Sequence, residues 1–346
     1  MNIIELNYSE QNKNVPNFGI ELLKTIVFFF ILVYHCYDQK YCNNQILKII
    51  LEAIPLYYPT LFIISFYFSY SYFSIKNLEK IKKKFLKLIV PYIFWPIIFY
   101  IINSLLDDSK SHNYTLKDLS FQLIIGRSIA CVFWFQFNLI IISIIFCLII
   151  LFSQNYYLHI LGSIFFLIYI ADCFQLSINF FEQYSDNIKR SIGRISKMLY
   201  YSIFGFILSS FKFLPALRKY RILSIIISFS ISFAIIYFKL FTSENYFYER
   251  LFMDLGALNL FVFFYMIPFE NITFGPCIFF IKQITSYSNG IYFLHIKIIE
   301  YFQDSFQAFA DKTLIGCALN YIICYCICFI GMKIFGKTKL KYLFIR

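Results

Sequence analysis

The sequence predicts an all-α fold, a polytopic integral membrane protein of about ten transmembrane helices. Three observations predict it. The chain is 60% hydrophobic and only 14% charged, with a mean hydropathy of +0.68, which is more apolar surface than a water-soluble fold can bury. Its apolar residues come in segments of spanning length separated by polar links. Its basic residues gather in a few of those links, as they do where loops face the cytoplasm. The 46 Phe and 29 Tyr then read as lipid-facing and packing surface.

Residues 1–18 are polar and lack the basic region, apolar core and small-residue cleavage site of a signal peptide. They are expected to form a cytoplasmic N-terminal segment. The first span, 19–37, carries an ionisable line: Glu21, Lys24 and His35. Eleven residues turn a helix by about three turns plus 20°, so Lys24 and His35 share one face, roughly 16 Å apart along the axis. Glu21 stands one turn below Lys24, in the order that supports an i,i+3 ion pair. Such a line normally faces protein or a water-filled cavity. On spacing alone, the same residues also suit interfacial anchors.

The second span, 46–73, is too long to cross straight, and Pro55 and Pro59 are expected to break or kink it. The remaining expected spans are 85–106, 129–153, 156–174, 197–214, 221–241, 252–270, 279–303 and 313–336. Ser153-Gln154-Asn155 is short enough to make the fourth and fifth an antiparallel pair. Residues 19–336 thus form the membrane domain, and 337–346 a basic cytoplasmic tail.

Basic loops set the orientation. Lys76 to Lys87 follow the second span, Lys212 to Arg221 the sixth, and Lys333 to Arg346 the tenth. With ten spans all three lie on one side with both termini, which places that side in the cytoplasm and the protein in the cell membrane. The net charge of +12 is then a topology signal reinforced by anionic lipid, not a sign of nucleic acid. Residues 175–196 disagree, because Lys189, Arg190 and Arg194 should lie outside. Their length and the acidic Glu182 and Asp186 suggest a segment lying on the membrane surface.

The ten Cys are scattered, and Cys324, Cys326 and Cys328 lack the CxxC spacing of a thiolate site. The four His form no HExxH pair. No metal is expected, and no Walker loop or dinucleotide fingerprint occurs. Four further clusters remain. Lys84 and Lys87 share a face as the chain enters the third span before Pro91-Tyr92, and suit either an anionic ligand or a positive-inside stop. Phe133-Trp134-Phe135-Gln136 opens the fourth span as an aromatic belt with polar residues behind it. Ser65-Phe66-Tyr67 lies on the second. Ser288, Gly290, Tyr292 and His295 lie on the ninth, where Gly290 allows close backbone approach.

Taken together and in this order, these segments resemble the acyltransferase-three family of membrane proteins. Ile20-Glu21-Leu-Leu-Lys24…His35 is similar to its I-D-x-L-R…H pattern. Lys84-x-x-Lys87…Pro91 is similar to its R-x-x-R…P entry, and Phe62-Ile-Ile-Ser65-Phe66-Tyr67 to F-x-x-S-G-[FY]. Val132-Phe133-Trp134-Phe135-Gln136 is similar to H-x-W-F-L, and Ser288-x-Gly290-Ile291-Tyr292-Phe293-Leu294-His295 to S-x-G-I-Y-L-x-H. The resemblance covers about residues 17–335. Departures are Glu for Asp, lysine at three arginine positions, and Phe66 for Gly, which is expected to narrow any channel there. Lysine keeps the charge and loses the bidentate fork. No esterase-like domain follows before Arg346.

The resemblance implies transfer of an acyl group, expected to be acetyl, from cytoplasmic acyl-CoA such as acetyl-CoA to a hydroxyl of a cell-surface or lipid-linked glycan. His35 would be the base or a transient acyl carrier, since imidazole titrates near neutral pH. Lys24 and Glu21 would organise the channel beneath it. Lys84 and Lys87 would receive the donor's phosphates. Trp134, Ser288, Tyr292 and His295 would position the acceptor or thioester. A glycan exporter or flippase of the same fold, without an acyl donor, is the alternative, and a degenerate structural member a third.

Overall fold

The computed structural model describes residues 17–36, 57–106, 116–126, 133–173, 186–241, 246–267, 275–302 and 314–344. Every regular element among them is helical. In chain order these are α1 (Phe18–Cys36), α2 (Tyr57–Phe73), α3 (Leu78–Leu106), α4 (Leu116–Ile125), α5 (Phe133–Ser153), α6 (Tyr157–Cys173), α7 (Asp186–Ser210), α8 (Phe213–Leu217), α9 (Arg221–Phe241), α10 (Tyr246–Met266), α11 (Gly275–Phe302) and α12 (Leu314–Phe335).

A helix lies on each predicted span. Phe18–His35, Leu78–Leu105, Phe133–Ser153 and Ile315–Phe335 are by themselves long and apolar enough to cross a membrane, and the bent pair Ser191–Ser210 and Phe213–Ser232 makes up to five. Their outward faces are apolar: Leu148, Leu151 and Phe152 on α5 and Ile315, Ile322, Ile330 and Ile334 on α12 are exposed. Such faces suit lipid, which needs no polar contact from them. The fold is that of an all-helical membrane protein.

Boundaries differ from expectation where local hydrogen bonding outweighs hydropathy. α3 starts at Leu78, seven residues before the expected 85, because the Asn77 side chain accepts from Lys80 N at 3.0 Å and its carbonyl from Ile81 N at 3.0 Å, an N-cap. The lysine run is therefore helical and not a loop. Pro59 lies within α2, which is described from Tyr57 onward; Pro55 and residues 46–56, where the expected break or kink would begin, lie outside the described residues. Of the segment 175–196, residues 186–196 are the first turns of α7, and residues 175–185 lie outside the described residues. α7 stops at Ser210, and Lys212 takes a left-handed φ of 50° at a break bent by 59°.

α1 stands inside the bundle, packed against α2, α10, α11 and α12. It runs parallel to α11. Thr25 Oγ1 lies 2.6 Å from Thr285 Oγ1, 260 positions on, and His35 meets His295 ten residues further along both helices. α2 packs most extensively on α7, through Gly205: a Cβ there would lie 2.4 Å from the Ile63 carbonyl oxygen. After α12 the chain turns back in a 3-10 turn, Lys339–Leu343. Tyr342, Leu343 and Phe344 are buried, and Trp95 Nε1 donates to the Leu343 carbonyl at 3.1 Å. Gly290 and Gly331 make room: a Cβ on Gly290 would meet the Phe344 backbone at 3.0 Å, and one on Gly331 its ring at 2.4 Å.

Candidate functional site

The lysine-bearing end of the bundle holds a cavity of about 740 Å³. α1 contributes Glu21, Lys24 and Phe28, α2 contributes Ser65 and Tyr67, and α11 contributes Asn289. From α3 come Lys80, Lys83, Lys84 and Lys87. Their i, i+3, i+4, i+7 spacing puts all four on one helical stripe. Only Lys84 and Lys87 were expected here. Lys80 and Lys83 lie outside the Lys84-x-x-Lys87 spacing that carried the expectation, and the Asn77 cap, which starts the helix at Leu78, is the sequence signal that would have included them.

The expected i,i+3 pair forms. Lys24 Nζ donates to Glu21 Oε1 at 2.8 Å, with the lysine side chain 9% exposed. A buried ammonium needs such a partner. Asn17 caps α1, its side chain accepting from Ile20 N at 3.2 Å, so Glu21 lies in the first turn, where a carboxylate complements the helix dipole. Thr285 of α11 donates to the Glu21 carbonyl at 3.2 Å and ties the two helices at this level.

Lys84 is held from three sides. Its Nζ donates to Ser69 Oγ at 2.7 Å and lies 4.1 Å from the Phe66 ring centre and 5.2 Å from that of Phe73, a cation–π arrangement. Phe66 is fully buried, packs on Phe146 at 4.6 Å, and is not among the residues lining the cavity. The expected narrowing at Phe66 is thus absent from this cavity, because the ring turns into the α2–α5 packing and serves as a floor for Lys84.

A run of ring contacts leads from the cavity wall toward the other end of α1. Phe28 and Phe135, which line the cavity, meet Tyr292 with centroids 5.8 and 5.6 Å away. Tyr292 lies 5.9 Å from His295, and His295 5.3 Å from His35. The helices that carry them explain the meeting: parallel α1 and α11 in constant register bring residues ten apart on each to the same level. His295 is 1% exposed. The Ile291 carbonyl accepts from its Nδ1 at 3.3 Å, which leaves Nε2 with the lone pair. That Nε2 is buried without a hydrogen-bond partner among the described residues. Asn320 of α12 donates to the His295 carbonyl at 2.9 Å and fixes the backbone there.

Of the residues singled out in the sequence, Glu21, Lys24, Lys84 and Lys87 share the cavity, and His35, Tyr292 and His295 share the ring cluster beyond it. Ser288 is buried, and its Oγ has no partner among the described residues; Asn289, its neighbour, lines the cavity instead. Trp134 stands apart from both groups, against Tyr58 at 5.0 Å. The family model described as an acyltransferase domain matches residues 17–340. The chain belongs to the acyltransferase-three family. No curated protein and no solved structure matches it. Family membership indicates an acyltransferase, and the acyltransferase domain takes in both the lysine cavity and the histidine pair. Its match begins at the Asn17 cap that positions Glu21 and ends within the returning C-terminal turn.

Proposed function

We propose that this acyltransferase-three protein is an O-acyltransferase that moves an acetyl group from cytoplasmic acetyl-CoA to a hydroxyl of an extracytoplasmic or lipid-linked glycan. One observation carries the reading: a cavity lined by four lysines and the Glu21–Lys24 pair adjoins a run of packed rings, from Phe28 through Tyr292, that ends at the pair of histidines. Polyanionic donor phosphates suit the lysine wall, and the thioester arm would have to pass the rings of Phe28, Phe135 and Tyr292 to reach His35. The cell membrane with both termini in the cytoplasm, and ten crossings, belong to this proposal. The parallel run of α1 and α11 supports it, since an odd number of crossings must then separate them.

In the proposed step His35 takes the proton of the acceptor hydroxyl, and the oxygen attacks the thioester carbonyl. The tetrahedral oxyanion needs a polar donor, a role that suits the Tyr292 hydroxyl. The C–S bond breaks, and the imidazolium returns the proton to the departing thiolate. Glu21 holds Lys24 in the cavity wall, about 16 Å along α1 from His35. Export without an acyl donor is the competing reading, and the rings of Phe28, Phe135 and Tyr292 across the path count against the continuous polar route it needs. Mass spectrometry of surface glycans from a deletion strain tests the reading. Loss of one acetyl mass per modified residue, restored by the wild-type gene, is the expected result. Unmodified glycan retained inside the cell would replace transfer by export.

A further inference from the structure

The two rings of the histidine pair are not equivalent. His35 lies in the last turn of α1 and is half-buried. His295 lies beside it on α11 and is 1% exposed. The buried ring is also the fixed one. The Ile291 carbonyl accepts from its Nδ1 at 3.3 Å, and Asn320 of α12 donates to the His295 carbonyl at 2.9 Å. With the proton on Nδ1, Nε2 carries a lone pair. That atom is buried, and none of the described residues donates to it. A buried acceptor left unmatched is costly, so the position calls for a donor. The His35 ring stands with its centroid 5.3 Å from that of His295. This is the spacing of two imidazoles joined end to end by one N–H···N bond of about 3 Å.

A general base needs a partner of this kind. Neutral imidazole carries one proton, and the bond made by that N–H decides which nitrogen keeps the lone pair. We infer that His295 is a positioning residue for His35. Its Nε2 accepts the His35 N–H and holds His35 in the tautomer whose other nitrogen is bare for the acceptor hydroxyl. The inference rests on the acyl-transfer reading and adds to it the group that orients the base. Exposure assigns the two roles. The base must be reachable by a sugar hydroxyl, and the orienting ring must be shielded from water that would compete for its bond. His295 gains no proton at any stage. Once the acceptor proton has arrived, His35 is an imidazolium with two N–H groups. One still donates to His295, now as a charge-assisted bond. The other returns its proton to the departing thiolate.

The test uses the full-length protein in lipid nanodiscs, its histidines labelled with the heavy nitrogen isotope. Nitrogen NMR separates protonated from bare ring nitrogens, and the His35 signals are those lost in His35→Gln. The expected result is one neutral His35 tautomer in the wild type and an average of both in His295→Leu, which fills the space and accepts nothing. His295→Gln, whose Oε1 accepts in place of Nε2, restores the single tautomer. In the deletion strain, His295→Leu should acetylate surface glycan about 10–100-fold more slowly than the wild-type gene, the range of one hydrogen bond to a charged group. His295→Gln should recover most of that loss. CoA affinity equal to wild type in both variants shows that the fold is intact. Mixed His35 tautomers in the wild type, or a single tautomer that persists in His295→Leu, overturn the pairing and leave acyl transfer standing. A tautomer that changes in Tyr292→Phe and not in His295→Leu also overturns it, by giving the contact to the tyrosine. Surface glycan that stays fully acetylated in the deletion strain overturns the acyl-transfer reading, and with it the role of His295, whatever the tautomer.

Discussion

At the residue scale, the proposed site divides into charges placed to bind the donor and imidazoles placed to react. His35→Ala is expected to abolish glycan acylation while the protein remains in the membrane at normal abundance, because His35 sits in the ring cluster and not in the core packing around Gly205. Normal acylation in a stably expressed variant would remove His35 from the mechanism. For the lysine wall, charge should matter more than shape. The double change Lys84→Gln, Lys87→Gln is expected to weaken CoA binding by about 1–3 kcal/mol, the scale of charge-assisted hydrogen bonds. Arginine at both positions should preserve it, since a guanidinium also rests on aromatic rings such as Phe66. Titration calorimetry on detergent-solubilised protein measures both, and unchanged affinity in the Gln pair would assign the stripe to topology alone. The geometry also ranks the lysines. Lys84 is partly engaged by Ser69 and two rings, whereas Lys80 and Lys83 are exposed along the cavity's edge, suited to the outermost phosphate.

At the scale of elements, two close approaches hold the site's frame. α2 and α7 touch at Gly205, with no space for a Cβ beside the Ile63 backbone. Gly205→Leu should separate them and cost about 1–3 kcal/mol, the range for overpacking, read as a lowered melting temperature in detergent. A melting temperature equal to wild type would mean that the helices can slide apart without loss. The returning C-terminal turn is the second. Phe344 packs between Trp95 at 6.0 Å and Phe335 at 6.0 Å, behind the α11 segment that offers Asn289 to the cavity. Phe344→Ala should destabilise by about 3–5 kcal/mol, as for a buried aromatic, and should lower CoA affinity through loss of support for α11. A stable variant with full CoA affinity would remove the turn from the support of the site.

At the scale of the whole molecule, the helix directions can be tested together. If α1 and α11 both cross, their parallel run requires that His35 and His295 face one side and the lysine stripe the other. Impermeant thiol reagents applied outside intact cells, in a background without native Cys, should leave single cysteines near Lys83 and Lys339 unlabelled. Labelling at either position would overturn the ten-span topology.

The sequence by itself determined the helical membrane class, the place of a helix on every expected span, the Glu21–Lys24 pair and the family. These rest on signals carried within one segment: hydropathy, an i,i+3 spacing, motifs in order. It also carried the Asn77 cap, which adds Lys80 and Lys83 to the cavity wall, in a signal weaker than the hydropathy edge beside it. Only the tertiary structure decided that His35 meets His295, because that contact depends on the register of two parallel helices 260 positions apart. Only it decided that Phe66 packs away from the cavity and under Lys84, that Asn289 and not Ser288 faces that cavity, and that Arg194 lies over the Trp134 ring. A side chain's direction around a helix is fixed by what packs against each face, and that information lies on other segments of the chain.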